Sequence, residues 1–109
     1  MKDKLTMEQS QELIEIGIPR KNASEVFIIE GFMGNSYRPC FTLSDVLDLL
    51  PPTLTKRLDN WPLTIKRHGK EQWSAGYGPI VMMLEKELID AAFGLVKWLH
   101  EEYDKPTAK

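Results

Sequence analysis

The chain has 109 residues, the length of one ordinary domain, and a globular composition with 42% hydrophobic and 28% charged residues. The formal net charge of −2 gives no overall attraction to nucleic acid or to an anionic membrane, and the single cysteine, Cys40, excludes an internal disulfide. The N-terminal stretch lacks the apolar centre of a signal peptide, and no run approaches the roughly 18 apolar residues of a membrane span. We therefore expect one soluble domain over residues 1–109, located in the cytoplasm and without a membrane partner.

The first predicted element is a short helix over residues 7–16. Thr6 precedes this helix and Gln9 follows three residues later. That is the spacing of a capping box, in which each side chain binds the free backbone N–H of the other residue. Gly17 is suited to end the helix, because glycine accepts the left-handed backbone that many helices adopt at their last turn.

Two strands are predicted next, joined as a hairpin. Residues 26–30 (VFIIE) are mostly β-branched or aromatic, which is typical of a strand. Residues 31–36 contain two glycines and an asparagine and form the predicted loop. Residues 37–41 return as a second strand. Pro39 restricts this strand to a sheet edge or to a short length, because proline has no N–H for the ladder.

A second short helix begins after Thr42. Thr42 is the predicted cap, and Asp45 occupies the third helical position, where a negative charge suits the helix dipole. Phe41 and Val46 have the spacing of a hydrophobic staple across the start of the helix. Two consecutive prolines at positions 51–52 end it.

The following segment predicts a second hairpin. Residues 61–68 alternate apolar and polar side chains, as a half-buried strand does, and residues 71–77 alternate again after a Gly-Lys turn. The apolar run over residues 80–84 is either a further strand or the beginning of the final helix. The pattern of residues 53–60 gives no assignment.

The longest periodic segment is a helix over residues 85–103. Apolar side chains recur at helical spacing on one wide face, and polar side chains occupy the opposite side. The apolar face consists of Leu88, Ile89, Ala92, Leu95, Val96, Leu99 and Tyr103. The order of the elements predicts an α+β fold: a small antiparallel sheet of four to five strands is covered on one face by the long C-terminal helix and the two short helices.

Three stretches carry a resemblance to other proteins: residues 7–27 (MEQSQELIEIGIPRKNASEVF), residues 41–51 (FTLSDVLDLLP) and residues 87–99 (ELIDAAFGLVKWL). Together they resemble a group of short uncharacterised proteins of gut Bacteroides-type bacteria, which are often associated with prophage or other mobile elements. The resemblance rests on helix caps, apolar stripes and a tryptophan near the C-terminus. It implies a bacterial or phage origin, a cytoplasmic location and an accessory role, and it transfers no catalytic or binding residue.

No constellation of residues indicates catalysis, a metal or a cofactor. The two histidines, His68 and His100, and the thiol of Cys40 include no pair at ligand spacing. Cys40 stands between a proline and a phenylalanine, where a cysteine is typical of a small apolar filler, although a pairing with His68 stays open. The Gly-Tyr-Gly sequence at 76–78 lacks the further glycine of a phosphate-binding loop and is typical of a bend at a strand end. We therefore predict no catalytic residue, no metal and no cofactor.

Charge is unevenly distributed along the chain. Residues 53–70 hold five basic residues against one acid, whereas residues 85–104 hold two basic residues against six acids. The five basic residues are Lys56, Arg57, Lys66, Arg67 and Lys70. With the nearby tryptophans they could hold single-stranded nucleic acid by stacking and phosphate contact; the alternative is a solvated polar face.

One flank of the last helix is a candidate contact edge. A rotation of about 100° per residue places Ala91 and Trp98 roughly 100–120° from the centre of the apolar face, with Gly94 just beyond them. Glycine inside a helix costs about 1 kcal/mol relative to alanine, which favours a packing explanation. We interpret the three residues as an edge that contacts another protein or a second copy, unless another helix of the same chain covers it. The leading functional hypothesis is a non-enzymatic interaction module; the alternatives are a nucleic-acid-associated accessory protein and, third, an enzyme.

Overall fold

The computed structural model describes residues 2–56 and 59–103, including the side chains of all of these except residues 56, 102 and 103. The helices are α1 (Met7–Glu15), α2 (Leu43–Asp48) and α3 (Leu88–Trp98), with a 3₁₀ turn at Arg20–Asn22 and a π-helical turn at Leu99–Tyr103. The strands are β1 (Glu25–Gly31), β2 (Gly34–Cys40), β3 (Thr53–Lys56), β4 (Asp59–His68), β5 (Gln72–Tyr77) and β6 (Val81–Glu85).

Both predicted helix caps are confirmed, and each is a complete capping box. In α1 the Thr6 hydroxyl accepts from the Gln9 backbone N–H at 3.1 Å, and the Gln9 side chain accepts from the Thr6 N–H at 3.0 Å. In α2 the Thr42 hydroxyl accepts from the Asp45 N–H at 3.2 Å, and the Asp45 carboxylate accepts from the Thr42 N–H at 2.9 Å. These caps set the first residue of each short helix.

The α+β fold class is confirmed, but the strands form two sheets. One is a two-stranded hairpin of β1 and β2, and the other is a four-stranded antiparallel sheet in the order β3-β4-β5-β6. The chain after β2 enters α2, which packs on α3, so β2 leads into a core helix and gains no third strand. The short helices also differ from expectation, because α1 packs against β2 and α2 against α3.

The two uncertain segments are strands. The apolar run at 80–84 becomes β6, and α3 begins only at Leu88, three residues later than the sequence pattern predicts. The segment 53–60 contains β3 and the first residues of β4. The predicted pairing of residues 61–68 with residues 71–77 is confirmed as the β4–β5 hairpin.

The core lies around α3, between one face of the four-stranded sheet and α2. The apolar face of the last helix is buried as predicted from Leu88 to Leu99, with Leu95 fully inaccessible to solvent, and it packs against Ala75 and Tyr77 of β5. The side chain of Tyr103, which the sequence predicts on the same face, lies outside the described residues. The Tyr77 hydroxyl donates to the carbonyl oxygen of Pro51 at 2.6 Å, and burial raises the pKa of Tyr77 to about 12. Among the described helices, none is long and apolar enough to cross a membrane.

The polar side of α3 is tied to the N-terminal region by ion pairs. The Lys2 ammonium lies 2.8 Å from the Asp90 carboxylate, and the Lys97 ammonium lies 2.8 Å from the Glu12 carboxylate of α1. The Gln9 amide also donates to Asp90 at 3.0 Å. The polar side of α3 therefore positions α1, in addition to facing water.

The molecule is flat and extended for its length. Its radius of gyration is 15.5 Å and its principal extents are 55, 41 and 17 Å, whereas a compact domain of 100 residues has a radius of about 13 Å. The described elements divide into a core of the three helices and the four-stranded sheet, and a β1–β2 hairpin whose side chains are mostly exposed.

Candidate interaction surface

The structure separates two residues of the predicted basic patch. Lys66 and Arg67 are neighbours in β4 and so point to opposite faces of the sheet. Lys66 pairs in register with Ser74, while Arg67 pairs with Trp73 and places its guanidinium 5.5 Å from that indole ring centre. Strand geometry therefore divides these charges, which the charge count along the chain could not indicate.

The remaining basic residues add little to a continuous patch. Lys70 lies in the β4–β5 turn beside Glu71, in a shallow groove of about 350 Å³ with mixed charge. Arg57 lies outside the described residues, as does the side chain of Lys56.

The predicted contact edge on α3 is only partly accessible. Ala91 is fully buried, which corrects its placement on an outer flank: the elements that contact α3, which are β5, β6 and α2, together cover more of the helix than the sequence pattern indicates. Gly94 and Trp98 are half-buried and line an open groove of about 540 Å³ between α3, β6 and α1. A Cβ on Gly94 would meet the Met83 side chain at 3.5 Å, so β6 supplies the close neighbour that the glycine indicated.

The titratable residues form no catalytic arrangement in the part of the chain that the structure describes. Cys40 is buried in β2, and burial raises the pKa of its thiol, which disfavours the nucleophilic thiolate. The imidazole of His68 instead lies 2.9 Å from the Ser74 hydroxyl, and His100 contacts the Val96 carbonyl oxygen at 3.2 Å. No three His, Cys, Asp or Glu side chains of residues 2–56 and 59–103 converge as metal ligands.

Packing explains the two glycines of the Gly-Tyr-Gly sequence. A Cβ at Gly76 would collide with the backbone carbonyl of Val81, because β6 folds back tightly onto β5. Gly78 has a φ of +50°, a left-handed conformation, and sits against the Trp61 ring. The bend at the strand end predicted from the sequence is therefore confirmed.

The largest group of exposed apolar side chains belongs to the β1–β2 hairpin. The tip residues Phe32 and Met33 are 103% and 93% exposed. Val26, Ile28 and Tyr37 on the strands are 55%, 61% and 54% exposed. Sequence reasoning predicted the two strands but missed this exposure.

Two sequence signals could have indicated it. Residues 26–29 are apolar at every position, although a hairpin with one face in water normally alternates. The tip is Phe-Met, although such turns are dominated by glycine, asparagine and aspartate.

The register of the hairpin defines its two faces. Val26 pairs with Pro39 and Ile28 pairs with Tyr37, so these four side chains share one face. The opposite face carries Phe27 and Ile29 of β1, both half-buried, across from Arg38 and Ser36 of β2. Strand β1 is therefore apolar on both faces.

The two outer edges of the hairpin differ. On β2, Pro39 has no N–H to offer, and the Tyr37 carbonyl oxygen accepts from the Arg20 guanidinium at 3.2 Å. On β1, no other strand of residues 2–56 and 59–103 pairs with the outer edge. That edge has neither a proline nor a lysine, the residues that commonly protect edges from pairing.

Polar contacts fix the base of the hairpin to the core. The Asp45 carboxylate of α2 accepts from the backbone N–H and the hydroxyl of Ser24, both at 2.8 Å. Burial alone would raise the pKa of Asp45, but hydrogen bonds from the Thr42 and Ser24 backbone N–H groups and the Ser24 hydroxyl lower it below its usual value. Lys4 and Glu25 add an ion pair at 2.6 Å. The hairpin is therefore oriented at its base and exposed along its length.

Comparison with known proteins gives no relative: a scan of family models found no match, and neither did searches of curated proteins and of solved structures.

Proposed function

We propose that this protein is a non-enzymatic interaction module and that the β1–β2 hairpin is its contact surface for another protein chain. The observation that carries the proposal is the exposed apolar set of the hairpin: Val26, Ile28, Phe32, Met33 and Tyr37. A cytoplasmic accessory role in a bacterium or phage belongs to the same proposal and is supported by the sequence resemblance alone.

Energetics support a role in binding. An isolated two-stranded hairpin is marginally stable in water, and exposed apolar side chains contribute little to folding. The five side chains expose on the order of 700 Å² together, close to the ~800 Å² that each partner contributes to a standard interface. Large aromatic and methionine side chains are also enriched in protein interfaces. A surface of this kind is better explained by a partner than by folding.

The nucleic-acid alternative has weaker support. Lys66 and Arg67 point to opposite faces of the sheet, and the turn that holds Lys70 also holds an acid. Binding the phosphate backbone of single-stranded nucleic acid requires basic side chains along one continuous groove. Binding through phosphates would weaken steeply with salt, so a gel-shift assay at two salt concentrations distinguishes this function from protein binding.

Site-specific photo-crosslinking tests the proposed surface in cells. A benzophenone amino acid replaces Phe32 at the tip of the β1–β2 hairpin, and the matched control replaces Lys70 at the tip of the β4–β5 hairpin. Both positions are exposed turn residues of the same chain. We expect protein cross-links from position 32 that disappear with the additional substitution Ile28→Thr, and few from position 70. Equal cross-linking from both tips, or none from position 32, would overturn the proposal.

A further inference from the structure

We infer that the partner of the hairpin is a second copy of this chain, paired antiparallel along the outer edge of β1 with Ile28 on a two-fold axis. This inference rests on the proposed function of the hairpin and names its partner. The result is a continuous four-stranded sheet in the order β2-β1-β1-β2 across the two copies, with no change in either fold.

The orientation of the β1 backbone follows from two contacts on β2. The Tyr37 carbonyl accepts from Arg20, so it points away from β1, and Pro39 could not donate to β1 in any case. The pairs Ile28–Tyr37 and Val26–Pro39 are therefore the non-hydrogen-bonded pairs of the ladder. In such pairs the backbone groups of both residues point outward. Val26, Ile28 and, two residues on, Glu30 thus direct their N–H and C=O groups to the free edge.

These outward groups determine which register a second copy can adopt. A two-fold axis perpendicular to the sheet must pass through a residue of β1, because partners in an antiparallel pair share a face. With the axis at Ile28, Val26 lies opposite Glu30 of the second copy, and all seven residues of Glu25–Gly31 find partners. Moving the axis by one residue to either side leaves two residues of the strand unpaired. The centred register therefore makes the most backbone hydrogen bonds.

The side chains fit the same register. Phe27 lies opposite Ile29 of the second copy, so the half-buried apolar pair of one face repeats on both sides of the axis. On the other face, the two Ile28 side chains meet at the centre with Tyr37 beside each of them. The acid Glu25, at the end of the strand, is already paired with Lys4. The other acid of the strand, Glu30, is exposed and lies two residues from the axis, so the residues closest to the axis, Phe27, Ile28 and Ile29, are all apolar.

The register also brings the exposed tip of each hairpin close to the base of the hairpin in the second copy. Gly31 lies opposite Glu25 of the second copy, so the turn residues Phe32 and Met33 come near Ser24 and Ala23, which precede Glu25 at the base of that hairpin. Ala23 is half-buried and packs against the core, so an apolar side chain there adds to an existing cluster. Because the dimer is two-fold symmetric, the tip of each copy makes the same contact with the base of the other.

Sedimentation and a paired cysteine experiment test the inference on the purified chain. Sedimentation equilibrium over roughly 1–300 µM should show a monomer–dimer equilibrium, a range that covers dissociation constants of micromolar and weaker. In a Cys40→Ala background, Ile28→Cys should form a disulfide-linked dimer on mild oxidation, because the two residues 28 then face each other at about 5.5 Å between Cα atoms. Val26→Cys is the matched control: it is similarly exposed and on the same face. In the proposed dimer, residue 26 of one copy would lie four residues along the strand from residue 26 of the other, about 13 Å away, which is too far for a disulfide.

The outcomes separate this inference from the proposed function. A dimer that cross-links through position 28 and not through position 26 supports the inference. A purified chain that stays monomeric over the whole range overturns it, and so does a dimer in which position 26 cross-links as readily as position 28. If the chain is monomeric but Phe32 still cross-links to a different protein in cells, only the second-copy partner is wrong. If Phe32 also cross-links to nothing, the proposed function fails as well.

Discussion

The α3 core and the β1–β2 hairpin both contain many apolar residues, but these are buried in α3 and largely exposed in the hairpin. In α3 the apolar side chains recur on one face and are buried, and the polar side chains are held by ion pairs to the N-terminal region. In β1 four consecutive apolar residues leave both faces of the strand without a polar side. Periodic apolar residues indicate burial inside the chain. Apolar residues without a helical or strand period, in a sheet too small to bury them, stay exposed in the single chain, and these are the residues that we propose another chain buries.

The largest expected effect is a difference in unfolding free energy between substitutions in the α3 core and in the β1–β2 hairpin. Leu95→Ala removes a fully buried side chain from the centre of α3 and should lower the free energy of unfolding by about 2–5 kcal/mol. Ile28→Ala should change the same quantity by at most about 1 kcal/mol in dilute solution, because Ile28 is mostly exposed and lies opposite Tyr37 in a cross-strand pair. Urea denaturation of both variants at low protein concentration measures this difference. Similar losses in the two variants would mean that the hairpin belongs to the core.

The cap of α2, which lies where the hairpin joins the core, should give the next largest effect. Thr42→Ala removes the hydroxyl that accepts from the Asp45 N–H, and it should cost about 0.5–2 kcal/mol of unfolding free energy. Thr42→Ser keeps a hydroxyl and should cost much less. The comparison is made by thermal and urea unfolding, and equal losses for the two variants would show that the hydroxyl does not cap the helix.

Gly94 tests whether α3 offers a second contact surface. A Cβ at this position meets Met83 at ordinary contact distance, so Gly94→Ala should raise the free energy of unfolding by about 0.5–1 kcal/mol through helix propensity. Its sedimentation and its cross-linking through position 32 should equal those of the unchanged chain. A loss of association in a stably folded Gly94→Ala variant would place the contact edge on α3 and weaken the case for the hairpin.

The pH dependence of stability gives the smallest expected effect. The folded-state pKa of Asp45 is lowered, so its stabilising contribution is present above the unfolded-state pKa of about 3.9 and is lost as the pH falls through the folded-state value. At pH 7 the unchanged chain should therefore be more stable than Asp45→Asn, and the difference should shrink on going to about pH 2. A stability difference that stays constant between these pH values would show that the carboxylate of Asp45 does not hold Ser24 and Thr42 as described.

Local signals in the sequence were enough to predict most elements. Both capping boxes, the second hairpin and the buried face of α3 follow from spacing over a few residues, which is why Thr6, Thr42 and Leu95 lie where predicted. The sequence did not decide whether residues 80–84 form a strand or the start of the last helix, because a short apolar run is compatible with both the strand period and the helix period. The type of each element therefore follows from the local sequence, whereas the residues at which it begins and ends depend on tertiary contacts.

The exposed apolar surface of the hairpin could not be predicted in the same way. Whether β1 joins the larger sheet depends on where α2 carries the chain, which no short pattern encodes. The burial of Ala91 likewise depends on the elements that pack beside α3. Both outcomes arise from tertiary packing between segments that are distant in sequence. The separation of Lys66 from Arg67, in contrast, follows from the alternation of side chains in the predicted strand and could have been predicted from the sequence.

Amide hydrogen exchange along β1 tests the central claim most directly. The N–H groups of Val26, Ile28 and Glu30 point to the free edge, while those of Phe27 and Ile29 are bonded to β2 and serve as controls on the same strand. If the edge pairs with a second copy, protection at the three outward positions increases with protein concentration, and the two inward positions stay protected throughout. Exchange at Val26, Ile28 and Glu30 that is fast and independent of concentration would contradict the account.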